Sequence, residues 1–176
     1  MKKSSFLSFV LTGVFGACVA FATPTAFAEN GVIDSADKSF LQGAYEDGLA
    51  EIHMAGLGVK KTGNEEIKAF AMKLEADHGK ANGEMMALAN NKKVDFAKKP
   101  DMVDTAKEKI MDLRGTSFDK AFIDGMVSDH EKAVAAFEKA ANESKDPDVK
   151  AFAAKTLPTL REHLSMAKEL QQKLGK

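Results

Sequence analysis

The chain has no tryptophan, a single tyrosine (Tyr45), a single cysteine (Cys18) and only two arginines, Arg114 and Arg161, among its 176 residues. One cysteine excludes an intramolecular disulfide and a thiolate-rich metal site, so packing must supply the stability. The scarcity of arginine, with no long basic run, argues against a nucleic-acid partner. No Ser/His/Asp spacing, glycine-rich phosphate loop or nucleophile elbow is present, which leaves the common hydrolase and nucleotide-binding signatures unfilled. Sustained period-two alternation is also missing, and with it the signal for a sheet.

What is there begins with an address. Lys2 and Lys3 form a charged start, Phe6 to Ala22 an apolar stretch, and Ala26-Phe27-Ala28 a small-x-small cleavage pattern, so residues 1–28 are expected to be a secretory signal peptide with Glu29 as the new N-terminus. Gly16-Ala17-Cys18 resembles the end of a lipoprotein cleavage box, but Phe15 stands where leucine is usual, so anchoring through Cys18 is the lesser alternative. Cleavage after Ala28 leaves residues 29–176, 148 of the 176, as one domain without cysteine or a transmembrane segment. Removing Lys2 and Lys3 from the 25 basic residues leaves 23 against 26 acidic ones, a net charge of −3. The expected destination is the periplasm, with an envelope or protein partner open.

The rest reads as helices. The first starts at Asp34 or Ser35 and runs to about Thr62, with Leu41, Ala44, Tyr45, Gly48, Ile52, Ala55 and Val59 on one face and Glu51 at its edge. Thr62-Gly63-Asn64-Glu65 is a turn with capping-box spacing. The second helix carries Ile67, Ala71, Leu74, His78, Ala81, Met85 and Leu88 inward and stops at Asn90-Asn91. Residues 91–116 form a long crossover holding one short helix opened by Pro100-Asp101. Thr116 or Ser117 is expected to cap the next helix, with Phe122, Ile123, Met126, His130, Ala133, Phe137 and Ala140 inward. Asp146-Pro147 opens the last, whose stripe is Val149, Phe152, Thr156, Leu160, His163, Ala167, Leu170 and Leu174. Pro158 falls inside it and is expected to kink it. The segment from Asn64 to Lys73 echoes that from Asp146 to Lys155, each beginning the second member of a hairpin. The expected fold is all-α: a ferritin-like four-helix bundle of two antiparallel hairpins joined by a long crossover carrying a short helix.

Three of the four histidines occupy positions where an apolar residue is expected, each after an acid: Asp77-His78, Asp129-His130 and Glu162-His163. A histidine is costly to bury unless hydrogen-bonded or ligated. Helix rise puts Glu51 roughly 17 Å and His78 roughly 21 Å from the first turn, and His130 roughly 22 Å and His163 roughly 25 Å from the opposite one. In helices spanning roughly 40 Å all four meet near mid-bundle. Three imidazoles and a carboxylate suit one divalent transition metal, Zn, Cu, Fe or Ni, with Glu51, His78, His130 and His163 as ligands. Asp77, Asp129 and Glu162 are placed to orient a neighbour's imidazole. The alternative is a metal-free hydrogen-bond network that fixes packing or serves a partner; the third is a redox or hydrolytic metalloenzyme.

Other metal chemistries find less support. Glu75-x-x-His78 has di-iron spacing, but Glu75 lies off the stripe, and a di-iron centre needs about four carboxylates. Of eight methionines after Met1, only Met85 and Met126 lie clearly on core stripes, and there is no Met-x-x-Met array. His53 points away from the apolar face.

Ala50-Glu51, the run Ile67-Lys68-Ala69-Phe70-Ala71 leading to Asp77-His78, Phe118-Asp119, Met126-Val127, Asp129-His130, Leu157-Pro158 and Glu162-His163-Leu164 together resemble an exported bacterial family of unknown function, domain-of-unknown-function family 4142. The resemblance spans roughly residues 36–172. It implies an exported ferritin-like bundle, often periplasmic or envelope-associated, and carries no established activity, so the site residues rest on position alone.

Overall fold

The computed structural model describes residues 33–96 and 113–175. Four helices make up most of these: α1 (Ser35–Lys61), α2 (Glu65–Asn91), α3 (Gly115–Glu143) and α4 (Pro147–Leu174), with no strand among the described residues. The expected leader, the Glu29 terminus and the short crossover helix after Pro100 lie outside them.

Three helices start on a side-chain cap. Asp34 accepts from the Asp37 amide at 2.8 Å, Asn64 from Glu66 and Ile67 at 2.9 and 3.3 Å, and Asp146 from Asp148 and Val149 at 2.9 and 3.2 Å, with Pro147 at the first helical position. Such a cap contributes about 1 kcal/mol by satisfying otherwise orphaned N–H groups. Two start signals resolve differently from their sequence reading. Thr62 ends α1 and accepts the Asn64 amide at 3.0 Å, leaving Asn64 rather than Thr62 as the cap of α2. Neither Thr116 nor Ser117 caps α3, which has already begun at Gly115, where φ is +56°; the residue before it, Arg114, makes no side-chain cap bond. Glycine adopts that left-handed conformation without strain, so the chain turns into the helix early. α4 runs unbroken through Pro158.

Each hairpin is closely paired, α1 with α2 and α3 with α4, while α2 packs on α4 and α1 on α3 across the bundle. One end is tied by charge. Asp37 in the first turn of α1 accepts the Lys145 and Asp146 amides of the α3–α4 turn at 3.1 and 2.9 Å. Lys92, just past α2, reaches Asp146 and Asp148 at 2.8 and 2.7 Å. The end of α2 and the start of α3 are therefore at opposite ends of the bundle, so a single crossover joins the two hairpins. This is the one-crossover connection of ferritin-like bundles.

The core has two parts. The lower one, beside the α1–α2 turn, gathers Phe70, Phe118, Phe122, Ile67, Leu74 and Ile123; the upper one, beside the α3–α4 turn, gathers Leu41, Met85, Leu88, Phe137, Phe152 and Leu160. Two glycines permit close approach. A Cβ on Gly48 would stand 2.3 Å from Asn82 Oδ1, and one on Gly58 2.8 Å from Phe122 Cζ. Gly43 and Gly56 have open space instead. The buried face of α1 is rotated from its expected stripe: Glu51 and Gly58 are inside, while Tyr45, Ile52 and Val59 are half-buried. Small residues let α1 settle on that face, where volume rather than hydropathy decides the fit.

Candidate metal centre

Between the two core parts, each helix contributes one polar side chain: Glu51 from α1, His78 from α2, His130 from α3 and His163 from α4. Their exposures are 6, 7, 0 and 1 %. The three ring centroids form a near-equilateral triangle with sides of 5.3, 5.3 and 5.5 Å. Glu51 spans the gap on the α1 side, with Oε2 2.8 Å from His78 Nε2 and Oε1 3.4 Å from His130 Nδ1. The first approach is close but out of line, and His78 Nε2 makes no hydrogen bond of acceptable geometry. We read it as charge proximity that leaves a buried ring nitrogen unsatisfied.

The outward contacts determine the tautomers of the other two rings. His130 Nδ1 lies 2.9 Å from the Met126 carbonyl oxygen, which can only accept, so Nδ1 carries the hydrogen. His163 Nε2 lies 2.9 Å from Asp77 Oδ2 and donates to it. Asp77 is held as an acceptor: burial raises its carboxyl, but His163 and Lys73 lower it more, and the net shift is downward. Both inward nitrogens, His130 Nε2 and His163 Nδ1, then carry lone pairs when the rings are neutral, and they face each other at 3.3 Å.

Neutral is the favoured state. Burial lowers the His130 pKa, against the pull of Glu51. Burial brings His163 down to about 4, with Asp77 opposing and the neighbouring imidazoles assisting. Glu51 is raised by burial, yet His78, His130 and His163 outweigh that and keep it a carboxylate. Two facing lone pairs without a proton repel, and a cation between them removes the conflict.

The donor set fits a metal. Nitrogen ligands about 2.1 Å from a tetrahedral ion stand about 3.4 Å apart, close to the 3.3 Å between His130 Nε2 and His163 Nδ1. One ligand atom from each histidine lies within 4.8 Å of the others, so drawing all three onto one ion asks only for side-chain adjustment. Of the three candidate orienting acids, Asp77 alone hydrogen-bonds an imidazole, and it does so on a neighbouring helix. Lys73 holds Asp77 at 3.0 Å and Glu162 at 3.3 Å, which places Glu162 one step outside. Asp129 is exposed and pairs with Lys132 at 3.0 Å. Glu75 is exposed, off the centre.

A feature without a sequence signal is the opening beside Glu51. A cleft of about 270 Å³ reaches Glu51 and His78 between walls that include Phe40, Met85, Phe137 and Leu160. A second, of about 340 Å³, meets Glu51 among Asp47, Met54, Asp129 and Lys132. Periodicity shows which face is inward; how tightly two inward faces meet depends on side-chain volumes summed across helices.

A family model described as "Domain of unknown function (DUF4142)" matches residues 22–170. No curated protein matches the chain. Among solved structures, a DUF305 fragment from Deinococcus radiodurans superposes with a TM-score of 0.73 at 12 % identity, over 81 % of this chain and 99 % of that one. A DUF305 protein from Streptomyces coelicolor, whose description suggests secretion, superposes with a TM-score of 0.70 at 16 % identity, over 80 % and 93 %. At such identities the likeness is one of fold.

Proposed function

The chain belongs to the DUF4142 family, whose description names no activity, and from that premise we propose that it is an exported protein binding one divalent transition metal through His78, His130 and His163, with Glu51 as a fourth ligand. The observation that carries this reading is the pair of inward imidazole lone pairs at 3.3 Å, each enforced by an outward hydrogen bond to a pure acceptor. Zn, Cu, Fe and Ni all suit imidazole and carboxylate donors. Asp77 orients His163 and raises its basicity, and the Met126 carbonyl does the same for His130.

Export rests on the charged start, apolar stretch and Ala26-Phe27-Ala28 of the leader, on the secretion suggested for the Streptomyces relative, and on the fact that no described helix is long and apolar enough to cross a membrane. The periplasm is the compartment the leader suits best, and mass spectrometry of the processed protein should find Glu29 at the N-terminus. A diacylated Cys18 there would replace free export with a lipid anchor.

A second reading is favoured by the same contacts: one proton shared between His130 and His163 would also quiet the pair, making a structural network that fixes helix register. Thermal melting of chelator-stripped protein separates the two. Metal binding predicts a Tm that rises with added Zn or Cu, and His130→Ala abolishes the rise. A network alone predicts a loss of about 1–3 kcal/mol for His130→Ala and identical melting with and without metal.

A further inference from the structure

The four seams between neighbouring helices differ in what closes them at the level of the centre. Gly48 brings α1 against Asn82 of α2, whose amide donates to the Tyr45 carbonyl at 3.3 Å. Between α2 and α4 runs the chain His163–Asp77–Lys73–Glu162, followed by Lys155–Glu84 at 2.8 Å. α3 and α4 are closely paired and joined by the His130–His163 contact, with Arg161–Glu138 outside it at 2.7 Å. The α1–α3 seam is open. The cleft of about 340 Å³ is lined by these two helices alone, the smaller one takes walls from all four, and the two share Asp47, Glu51, Lys132 and Ala133.

We propose that this seam is the port through which a hydrated divalent cation reaches the centre, with Asp47 and Asp129 forming an outer capture site from which the ion passes to Glu51 and the unsatisfied His78 nitrogen. The proposal rests on the metal reading above and adds a route and an outer site to it. Asp47 is one helical turn before Glu51, on the same face of α1, so the two carboxylates are successive steps inward. Their surroundings are electronegative. Asp47 is exposed as a residue, yet partial desolvation of its carboxyl in the cleft raises its pKa, and Glu51, Asp129 and Glu46 raise it further against Lys132. A cleft lined by three carboxylates against one lysine and walled by Ala50, Met54, Met126 and Ala133 concentrates cations at its floor. The smaller cleft also reaches what a cation would satisfy, since His78 Nε2 is buried, borders that cleft and has only the out-of-line Glu51 carboxylate beside it. Lys132, exposed and paired with Asp129 at 3.0 Å, competes with the ion for that carboxylate and so slows its capture.

The test is stopped-flow loading of chelator-stripped full-length protein with Co²⁺ alone, followed by its visible absorption, at low and high salt. Asp47→Asn should slow association about tenfold at low salt and flatten the salt dependence, while the final absorbance stays that of the wild type. Lys132→Ala should accelerate loading several-fold. Glu84→Gln, which removes a carboxylate on the closed α2–α4 seam, should leave the rate within about twofold of wild type. Wild-type rates in Asp47→Asn, or an equal slowing in Glu84→Gln, overturn the port. Absence of any Co²⁺ spectrum in the wild type overturns the metal centre itself, and the port with it, so the two failures are told apart.

Discussion

The lower and upper halves of the bundle are built from the same helices and packed by different means. Below the histidines, Phe70, Phe118 and Phe122 are fully buried, the rings of Phe118 and Phe122 stack at 5.9 Å, and Gly58 gives the Phe122 ring room. Above them, Phe137 and Phe152 keep 7 and 3 % exposure, a cleft of about 270 Å³ borders Phe137, and the end is tied by Lys92 with Asp146 and Asp148 and by Asp37. The lower half is closed by aromatic packing; the upper half leaves space and uses charge to hold its outer end. A polar centre at the boundary can therefore open towards one side without loosening the whole bundle, which is the arrangement a site that admits a ligand requires.

The largest effect expected from this comparison is on stability. Phe122→Ala should cost about 3–5 kcal/mol, because a fully buried ring leaves a cavity that the close Gly58 contact cannot fill. Phe137→Ala should cost about 1–2 kcal/mol less, since its removal only enlarges space already present. Urea unfolding of both variants measures the gap, and equal losses would show that the two halves are packed alike.

Much of this division is visible in the sequence and some of it is not. The inward histidines were placed by period and helix rise, because an imidazole among Leu74, Ala81 and Met85 breaks a pattern that is otherwise apolar. Asn82 and Asp119 are buried without such a signal, for neither lies on an expected stripe. Lys92 is buried because Asp146 and Asp148 come to it from a turn more than fifty residues away, a meeting that only tertiary structure specifies. The same holds for Asp47 and Lys132, ordinary exposed charges on their own helices that acquire meaning from the seam between them. The orienting acids show the limit most clearly. Adjacency to a histidine selected Asp77, Asp129 and Glu162 alike, but the helix packing turns only Asp77 onto an imidazole.

A smaller effect concerns the boundary between the halves. His130 and His163 have native pKa values below the ordinary 6.5, so the unfolded chain binds their protons first. Their contribution is complete above about pH 6.5 and is lost as pH falls towards about 4, where His163 takes up its proton in the folded state. For His163 alone that loss is about 3 kcal/mol. Chemical unfolding of metal-stripped protein between pH 7 and pH 4 should show this decline, and His163→Gln should flatten it. A flat profile in the wild type would mean that the native and unfolded pKa values coincide, so that burial does not hold these rings neutral.

The finest comparison uses two glycines on α1, one in each half. Both sit inside a helix, where alanine is favoured over glycine by about 0.5–1 kcal/mol. At Gly58 the new methyl would stand 2.8 Å from Phe122 Cζ and 3.0 Å from Ala71 Cβ, so overpacking of about 1–3 kcal/mol exceeds the gain in propensity. At Gly43, which borders the upper cleft, the methyl meets nothing within 4 Å and only the propensity remains. Gly58→Ala should therefore lower the Tm, and Gly43→Ala should raise it by a few degrees. Calorimetry of the two single variants reads both signs. A destabilising Gly43→Ala would mean that the upper cleft is filled in solution, which would close the port as well.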